Sequence, residues 1–202
     1  MKTLTELGLY YNTDKATYHH FTEIYETYFS TLKEKKLNIL EIGIFNGGSL
    51  RTLKDYFYNS NIYGIDFDRS KCFSEDRILS ECGDQTDINF LNNVFSNVNF
   101  DIIIDDGGHT MPQQQISLET LLPRLKSDGI YILEDLHTSY SYGYGSENDS
   151  TTLCLLEKLN IHDSNNHSFF IKDLHTIQEN ILDVKIYYTN DKTSVTSVFK
   201  KK

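Results

Sequence analysis

The sequence has little of several residue types, and each shortage excludes a class of protein. Its 202 residues contain no Trp, two Pro and three Cys, and 19 Lys plus Arg face 29 Asp plus Glu. The resulting net charge of −10 provides no concentrated basic surface, so nucleic acid is not an expected partner. Three irregularly spaced cysteines predict neither a disulfide framework nor a zinc site.

Long apolar runs are also missing from the chain. No stretch approaches the roughly 20 residues that span a bilayer, and the first residues contain no hydrophobic signal core. We therefore expect a cytoplasmic protein without a membrane partner. A chain of 202 residues, 39% of them hydrophobic, fits one α/β domain better than two separate cores.

What the sequence does contain is a repeated pattern between residues 100 and 140. Two apolar runs each end in a pair of acids, Asp105-Asp106 and Glu134-Asp135, with a helical pattern between them. This order predicts strand, helix, strand, and the two strands of such a unit lie parallel. Both acidic pairs should then meet at the carboxyl edge of the sheet, where open α/β folds bind ligands.

Crowded carboxylates repel one another, and a bound divalent cation would relieve that repulsion. Oxygen ligands without a nearby cysteine favour Mg²⁺ or Ca²⁺ over zinc. A histidine follows each acidic pair, His109 after the first and His137 after the second. The alternative is that these acids only cap the following helix and turn.

Residues 38 to 66 read as strand, glycine turn, helix and strand, ending in Asp66. The turn contains Gly43 and Gly47, but Phe45 stands where a dinucleotide fingerprint has its second glycine. Glu41 beside this turn disfavours phosphate and favours an ammonium group, while Asp66 is placed to bind ribose hydroxyls. These features predict S-adenosylmethionine as the cofactor, although a glycine turn can also be a simple tight connection.

The remaining segments complete the predicted fold. A strand over 77–82 precedes Asp84, which is either an acceptor for the adenine amine or a turn residue. An amphipathic helix begins near Phe21, helical patterns occupy 152–160 and 167–182, and strands over 184–189 and 194–199 form an antiparallel hairpin. We predict an α/β Rossmann-like fold with a seven-stranded, mostly parallel sheet, a reversed last strand and helices on both faces.

We divide the single predicted domain into four segments. Residues 1–36 form a helical cap or lid, 37–136 the cofactor and metal core, 137–150 a substrate loop, and 151–202 the C-terminal helices and hairpin. The loop assignment depends on its Ser, Gly, Tyr and Asn content directly after an acidic strand end.

Five motifs together carry a family resemblance over roughly residues 10 to 140. They are LEIGIFNGGSL, YGIDFD, CGDQTD, IIIDDGGHTMPQQ and YILEDLHTSY. With these motifs the chain resembles the metal-dependent class I S-adenosylmethionine methyltransferases that methylate sugar hydroxyls in the mycinamicin and tylosin macrolide pathways. The last two motifs, paired as they are here, are specific to that group.

The resemblance implies a role for each candidate residue. It implies that Asp106, Glu134 and Asp135 bind Mg²⁺ and that His109 is the general base. It also implies a cofactor site, to which we assign Glu41, Gly43, Gly47, Asp66, Asp84 and Asp105. His137 competes with His109 for the base role, but we prefer a substrate-contacting or supporting role for it, and a mainly structural one for Asp105.

The expected chemistry is activation of a poorly nucleophilic hydroxyl. The cation would stabilise the alkoxide, His109 would take the proton, and the acceptor oxygen would attack the sulfonium methyl group in line. The expected partner is a small molecule or glycan, and the chain is expected to form a homodimer or homotetramer. Three alternatives stay open: a catechol or phosphorylated acceptor, a nicotinamide-dependent oxidoreductase, and an inactive binding module.

Overall fold

The structure is a computed structural model that describes residues 2–145, 150–161, 168–190 and 193–202. Within these residues a single sheet of eight strands runs in the order β3-β4-β2-β1-β5-β6-β8-β7. The strands are β1 (Asn38–Ile42), β2 (Asn61–Asp66), β3 (Ser74–Glu75), β4 (Ile78–Cys82), β5 (Phe100–Asp105), β6 (Leu125–Leu133), β7 (Ile181–Thr189) and β8 (Ser194–Lys201).

The sheet is mostly parallel, as the sequence predicts. Strands β4, β2, β1, β5 and β6 pair in parallel, whereas β8 runs antiparallel to both β6 and β7. The reversed last strand and the C-terminal hairpin are therefore confirmed. The eighth strand is the two-residue β3 at the edge, which is too short to produce a recognisable alternation in the sequence.

Helices cover both faces of the sheet, again as predicted. One buried cluster includes residues of α1, α3 and α4, and the other includes residues of α5 to α8. The helices are α1 (Leu4–Tyr10), α2 (Asp14–Thr17), α3 (Phe21–Phe29), α4 (Gly48–Tyr56), α5 (Ile88–Asn93), α6 (Met111–Leu121), α7 (Thr152–Ile161) and α8 (Leu174–Asn180). Within the described ranges, none of the helices is long and apolar enough to cross a bilayer.

Two C-terminal predictions need adjustment. The helix predicted over 167–182 is shorter, because Asp173 caps α8 at its N-terminus and residues 181 and 182 already belong to β7. Residue 167, residues 146–149 of the predicted substrate loop, and residues 191–192 of the predicted hairpin turn lie outside the described residues.

The unit that positions the two acidic pairs is β5-α6-β6. Helix α6 begins at Met111 because Thr110 and Gln113 form a capping box and Pro112 fits the first turn. Strands β5 and β6 then pair in parallel, with Asp105 opposite Leu133 at the end of the ladder. The acids that follow each strand therefore leave the sheet side by side.

Candidate active site

The glycine turn and the first acidic pair touch each other at the carboxyl edge of the sheet. Gly43 has a φ of +89°, and a Cβ atom added there would lie 1.9 Å from the carbonyl oxygen of Asp106. The Asp106 amide in turn donates to the carbonyl of Ile42 at 2.9 Å. Only glycine allows both this backbone conformation and this close approach. The sequence thus brings the predicted cofactor turn and the predicted metal loop into contact.

A cleft of about 540 Å³ opens between these two loops. Gly43, Phe45 and Asp66 line one part of it, and Asp106, His109 and Asp135 line another part. Residues of α2 and of the segment before it also contribute to the lining, namely Asn12, Thr13, Asp14, Lys15 and Thr17. The N-terminal segment is therefore part of the candidate site and not merely a packing layer on the sheet.

Three predicted site residues form a compact group of possible metal ligands. Asp106, His109 and Asp135 each offer one ligand atom, and these atoms lie within 4.8 Å of one another. His109 Nε2 lies 3.4 Å from Asp135 Oδ2 and 4.0 Å from Asp106 Oδ1. Both His109 and Asp135 have positive φ angles, of 59° and 53°, a conformation that is costly for such residues and is found preferentially at functional sites.

A lysine that the sequence analysis did not single out lies within the same acidic cluster. The Nζ atom of Lys15 contacts Asp106 Oδ2 and lies 3.0 Å from Glu134 Oε2 and 3.4 Å from Glu41 Oε1. Its side chain is 5% exposed. Burial alone would lower the pKa of Lys15, but the three carboxylates outweigh it and raise that pKa well above the ordinary value. Lys15 is therefore a buried ammonium ion.

Burial also shifts the acids around Lys15. The pKa of Glu41 rises to about 7 because the carboxyl group is buried, although Lys15 partly offsets the effect. The pKa values of Glu134 and Asp106 are raised by burial as well, with neighbouring carboxylates adding to the rise and Lys15 opposing it. The single ammonium group of Lys15 therefore does not balance the charge of the three acids around it.

The donor set fits an additional cation. Among the described residues, neither Glu134 Oε1 nor Asp135 Oδ1 has a hydrogen-bond partner, and both atoms are buried. Buried carboxylate oxygens without a donor are costly, and a hard divalent cation satisfies such oxygens. Asp106 and Asp135 lie together as predicted, whereas Glu134 is turned toward Lys15 and lies outside the compact group.

Three residues assigned to the cofactor line neither the cleft nor the smaller cavity that adjoins it. Glu41 is fully buried and faces Lys15, so its charge is directed to that lysine rather than to a ligand in the cleft. Asp105 is buried and accepts hydrogen bonds from Ser117 and Gln85, which supports its structural interpretation. Gly47 is the N-cap of α4, where the Phe73 ring fills the space that a side chain would need.

The other cofactor assignments lie where a nucleoside could reach them. Asp66 lines the cleft and also accepts amide hydrogen bonds from Ile44 and Phe45 at 2.8 and 3.3 Å. Asp84 lines an adjoining cavity of about 190 Å³ together with Asp66 and Phe67. The Asp84 carboxylate also accepts hydrogen bonds from the amide and the hydroxyl of Thr86, as a turn residue does, and its contact with adenine stays a prediction.

The two candidate bases differ in position. His109 lines the cleft, whereas His137 does not. His137 Nδ1 lies 3.8 Å from Asp135 Oδ1, and burial lowers the pKa of His137 despite that carboxylate. His19, which is not among the predicted site residues, lies equally far from the same oxygen and is 2.7 Å from Ser194 Oγ. Asp135 is therefore surrounded by three imidazoles, of which His109 faces the cleft.

Thr138 connects the loops that follow β5 and β6. Its hydroxyl donates to the carbonyl of His109 and to that of Asp135, each at 2.9 Å. The connection fixes the backbone of the two residues with positive φ. No pattern in the sequence predicted this contact, because it depends on how the two loops meet.

Comparison with known proteins identifies relatives of this chain in sequence and in fold. No protein family model matches the chain. It is 38% identical over 151 residues to an 8-demethyl-8-(2-methoxy-alpha-L-rhamnosyl)-tetracenomycin-C 3'-O-methyltransferase of Streptomyces olivaceus, covering 70% of this chain and 39% of that protein. It is 35% identical over 170 residues to the mycinamicin VI 2''-O-methyltransferase of Micromonospora griseorubida, covering 77% and 43% respectively.

A solved structure agrees with these sequence relatives. The MycE methyltransferase of the mycinamycin biosynthetic pathway, in complex with Mg, SAH and mycinamycin VI, matches with a TM-score of 0.83 and 31% identity, over 99% of this chain and 54% of that one. The chain spans about two fifths of the length of the curated relatives it matches. In sequence and in fold, the chain is therefore a relative of these sugar O-methyltransferases, and its fold is that of the class I methyltransferases.

Proposed function

We propose that the protein is an S-adenosylmethionine-dependent, divalent-metal-dependent O-methyltransferase that acts on a sugar hydroxyl. The observation that carries this proposal is the single cleft in which Gly43 and Asp66 lie beside Asp106, His109 and Asp135. A cofactor turn and a cation-binding group thus share one volume, as methyl transfer between a bound nucleoside and a bound hydroxyl requires. Sequence relatives that are named as sugar O-methyltransferases support the same function.

We assign the cofactor to the part of the cleft formed by the glycine turn. Asp66 offers its carboxylate to the ribose, and the cavity beside Phe67 and Asp84 accepts the adenine. S-adenosylmethionine supplies the activated methyl group. Neither Glu41 nor Asp105 is needed as a direct contact in this arrangement, because Glu41 faces Lys15 and Asp105 accepts hydrogen bonds from Gln85 and Ser117.

We assign a divalent cation, most simply Mg²⁺, to Asp106 and Asp135, with Glu134 Oε1 as the third ligand atom. When bound, the cation supplies positive charge that stabilises an alkoxide. His109 is placed to remove the proton of the acceptor hydroxyl through Nε2, and the adjacent Asp135 carboxylate stabilises the protonated imidazole. Thr138 keeps the backbone of His109 and Asp135 in place during this transfer.

We assign acceptor binding to the loop that follows β6. Tyr140 and Tyr142 on this loop are 71% and 91% exposed, and their rings can pack against the apolar face of a sugar. A glycosylated small molecule or a glycan fits this surface better than nucleic acid, since the chain carries a net charge of −10. The identity of the sugar, a homo-oligomeric state and a cytoplasmic location stay predictions. The three cysteines form no disulfide among the described residues, which supports the last of these.

The function is tested by methyl transfer to a panel of rhamnosides, nucleotide-linked sugars and a catechol, read as a mass gain of one methylene per product. We expect transfer to a sugar, its loss in excess EDTA and its recovery on adding Mg²⁺. Titration with S-adenosylhomocysteine, without any acceptor, tests the cofactor assignment separately. Transfer that persists in EDTA would exclude the metal role, and a thermal shift with NAD⁺ but none with S-adenosylhomocysteine would favour the oxidoreductase.

A further inference from the structure

The feature of the site that the proposed reaction leaves unexplained is the buried lysine on α2. Lys15 is surrounded by carboxylates that follow or belong to three different strands, Glu41 on β1, Asp106 after β5 and Glu134 after β6. A buried charge is costly unless it is paired, and here the pairing is with three acids instead of one. The positive charge of Lys15 therefore offsets the repulsion among these three acids.

Lys15 contacts one carboxylate oxygen of Asp106 and one of Glu134, and it does not contact the second oxygen of either acid. Its Nζ atom contacts Asp106 Oδ2 and Glu134 Oε2. Asp106 Oδ1 instead faces His109 Nε2 at 4.0 Å, and Glu134 Oε1 has no hydrogen-bond partner among the described residues. The lysine therefore fixes how both carboxylates are rotated and which oxygens stay available to another cation.

The acidic cluster has a deep half and a shallow half. In the deep half the side chains of Lys15, Glu41 and Glu134 are 5%, 0% and 1% exposed. In the shallow half Asp106, His109 and Asp135 are 22%, 24% and 16% exposed, and all three line the cleft. Without an occupant, the deep half would hold two buried carboxyl groups with no adjacent positive charge, which a divalent cation could neutralise.

The backbone around Lys15 is held so that the ammonium stays in place. The Thr13 amide donates to the carbonyl of Gly8 at 3.0 Å, and a Cβ atom added at Gly8 would lie 2.6 Å from the Cβ of Ala16. Helices α1 and α2 therefore pack at close range on either side of this contact. Lys15 is thus presented to the cluster by a preformed element and not by a free loop.

We propose that Lys15 is a positioning residue, a tethered cation that occupies the deep half of the cluster and holds Asp106 Oδ2 and Glu134 Oε2. It leaves the divalent ion the other oxygens of these two acids, Asp106 Oδ1 and Glu134 Oε1, together with Asp135. There the ion lies beside His109 and within reach of an acceptor hydroxyl in the cleft. This inference rests on the proposed function for the presence of a divalent ion, but the place of the ammonium is independent of it.

The test replaces Lys15 with a side chain of similar length and no charge. Purified wild-type protein, Lys15→Met and the control Lys36→Met, which removes an exposed lysine, are freed of metal and titrated with Mn²⁺, followed by electron paramagnetic resonance. We expect one Mn²⁺ on the wild-type and control proteins and two on Lys15→Met. Methylammonium chloride should displace the second Mn²⁺, because it restores the missing ammonium group, whereas tetramethylammonium chloride should not.

Turnover and stability provide further readouts. Turnover of Lys15→Met should fall by about 10-fold to 100-fold, as for other residues that orient metal ligands, and methylammonium should restore part of it. In EDTA its melting temperature should fall by about 10 °C, since three buried acids lose their counter-charge. If that variant does not fold, Lys15→Met with Glu41→Gln removes one acid together with the ammonium and leaves two acids to bind the second ion.

The outcomes separate this inference from the proposed function. One Mn²⁺ of unchanged affinity on Lys15→Met, with normal stability, would overturn the role of Lys15. No Mn²⁺ on the wild-type protein but one on Lys15→Met would support the role of Lys15 and reject the proposed metal site. No Mn²⁺ on either protein would overturn both.

Discussion

The two acidic pairs, Asp105-Asp106 and Glu134-Asp135, look alike in sequence but are stabilised in different ways. In each pair the first acid is buried and the second lines the cleft, because successive residues at a strand end point to opposite sides. Asp105 is held by neutral donors, Ser117 and Gln85, whereas Glu134 is paired with the ammonium of Lys15.

The buried first acids of the two pairs, Asp105 and Glu134, have different roles. Among the described residues no salt bridge reaches the Asp105 carboxylate. Burial therefore raises its pKa to about 6, and its hydrogen bonds and the nearby His109 offset only part of that rise. Glu134 lies beside the buried ammonium of Lys15, and its Oε1 atom has no hydrogen-bond donor in the part of the chain that the structure describes. The first pair therefore contributes one residue to the cleft and one to the fold, while the second contributes to both the cleft and the charge balance.

The largest expected effect comes from breaking the first pair at its outer member. Asp106→Asn should lower turnover by about 10³-fold, because Asp106 is shared by Lys15, His109 and the proposed cation. Mn²⁺ affinity should fall in the same variant. Asp105→Asn, one residue earlier, is the matched control and should keep most of the turnover. Turnover of Asp106→Asn close to the wild-type value would contradict the different roles assigned to Asp105 and Asp106.

A smaller effect is expected from the histidines that follow the two pairs. His109→Ala should lower turnover by about 10²-fold while binding of S-adenosylhomocysteine survives, since the imidazole acts as the base. His137→Ala should have a clearly smaller effect, because His137 does not line the cleft. Measuring turnover together with Mn²⁺ affinity separates the base role of His109 from a ligand role, in which both quantities would fall. Equal losses in the two variants would contradict the assignment.

Much of the fold could be predicted because the strands are short apolar runs that end in acids or glycine. Strand β5 and the second half of β6 were predicted from the segments that precede Asp105 and Glu134, and their parallel pairing followed from the helical pattern between them. The antiparallel hairpin of β7 and β8 was predicted from the short turn between two strand-like runs. The two-residue β3 has too few residues for any periodicity, and α8 ends before its apolar pattern does because the chain pairs with β8 instead.

Only the site residues that lie at the ends of strands could be predicted from the sequence. Asp66, Asp106, His109 and Asp135 follow or end a strand, and the structure brings them to one cleft. Lys15 lies on a short helix in front of the first strand, and its place depends on the close packing of α1 against α2. Glu41 was interpreted as facing a ligand, but the direction of its side chain is set by the strand alternation, which points it toward Lys15.

Asp105→Asn should have the smallest effect on activity of these variants. The pH dependence of its stability tests whether Asp105 has only neutral hydrogen-bond partners. Its pKa is about 6 in the folded protein and near 3.8 in the unfolded chain, so the folded state binds the proton more tightly. The free energy of unfolding should therefore fall as pH rises from about 4 to 6, by about 3 kcal/mol from this group. Asp105→Asn cannot titrate and should lack this part of the decline. Urea denaturation of both proteins at pH 4.5, 5.5 and 6.5 measures the difference, and parallel pH profiles would mean that folding does not raise the pKa of Asp105.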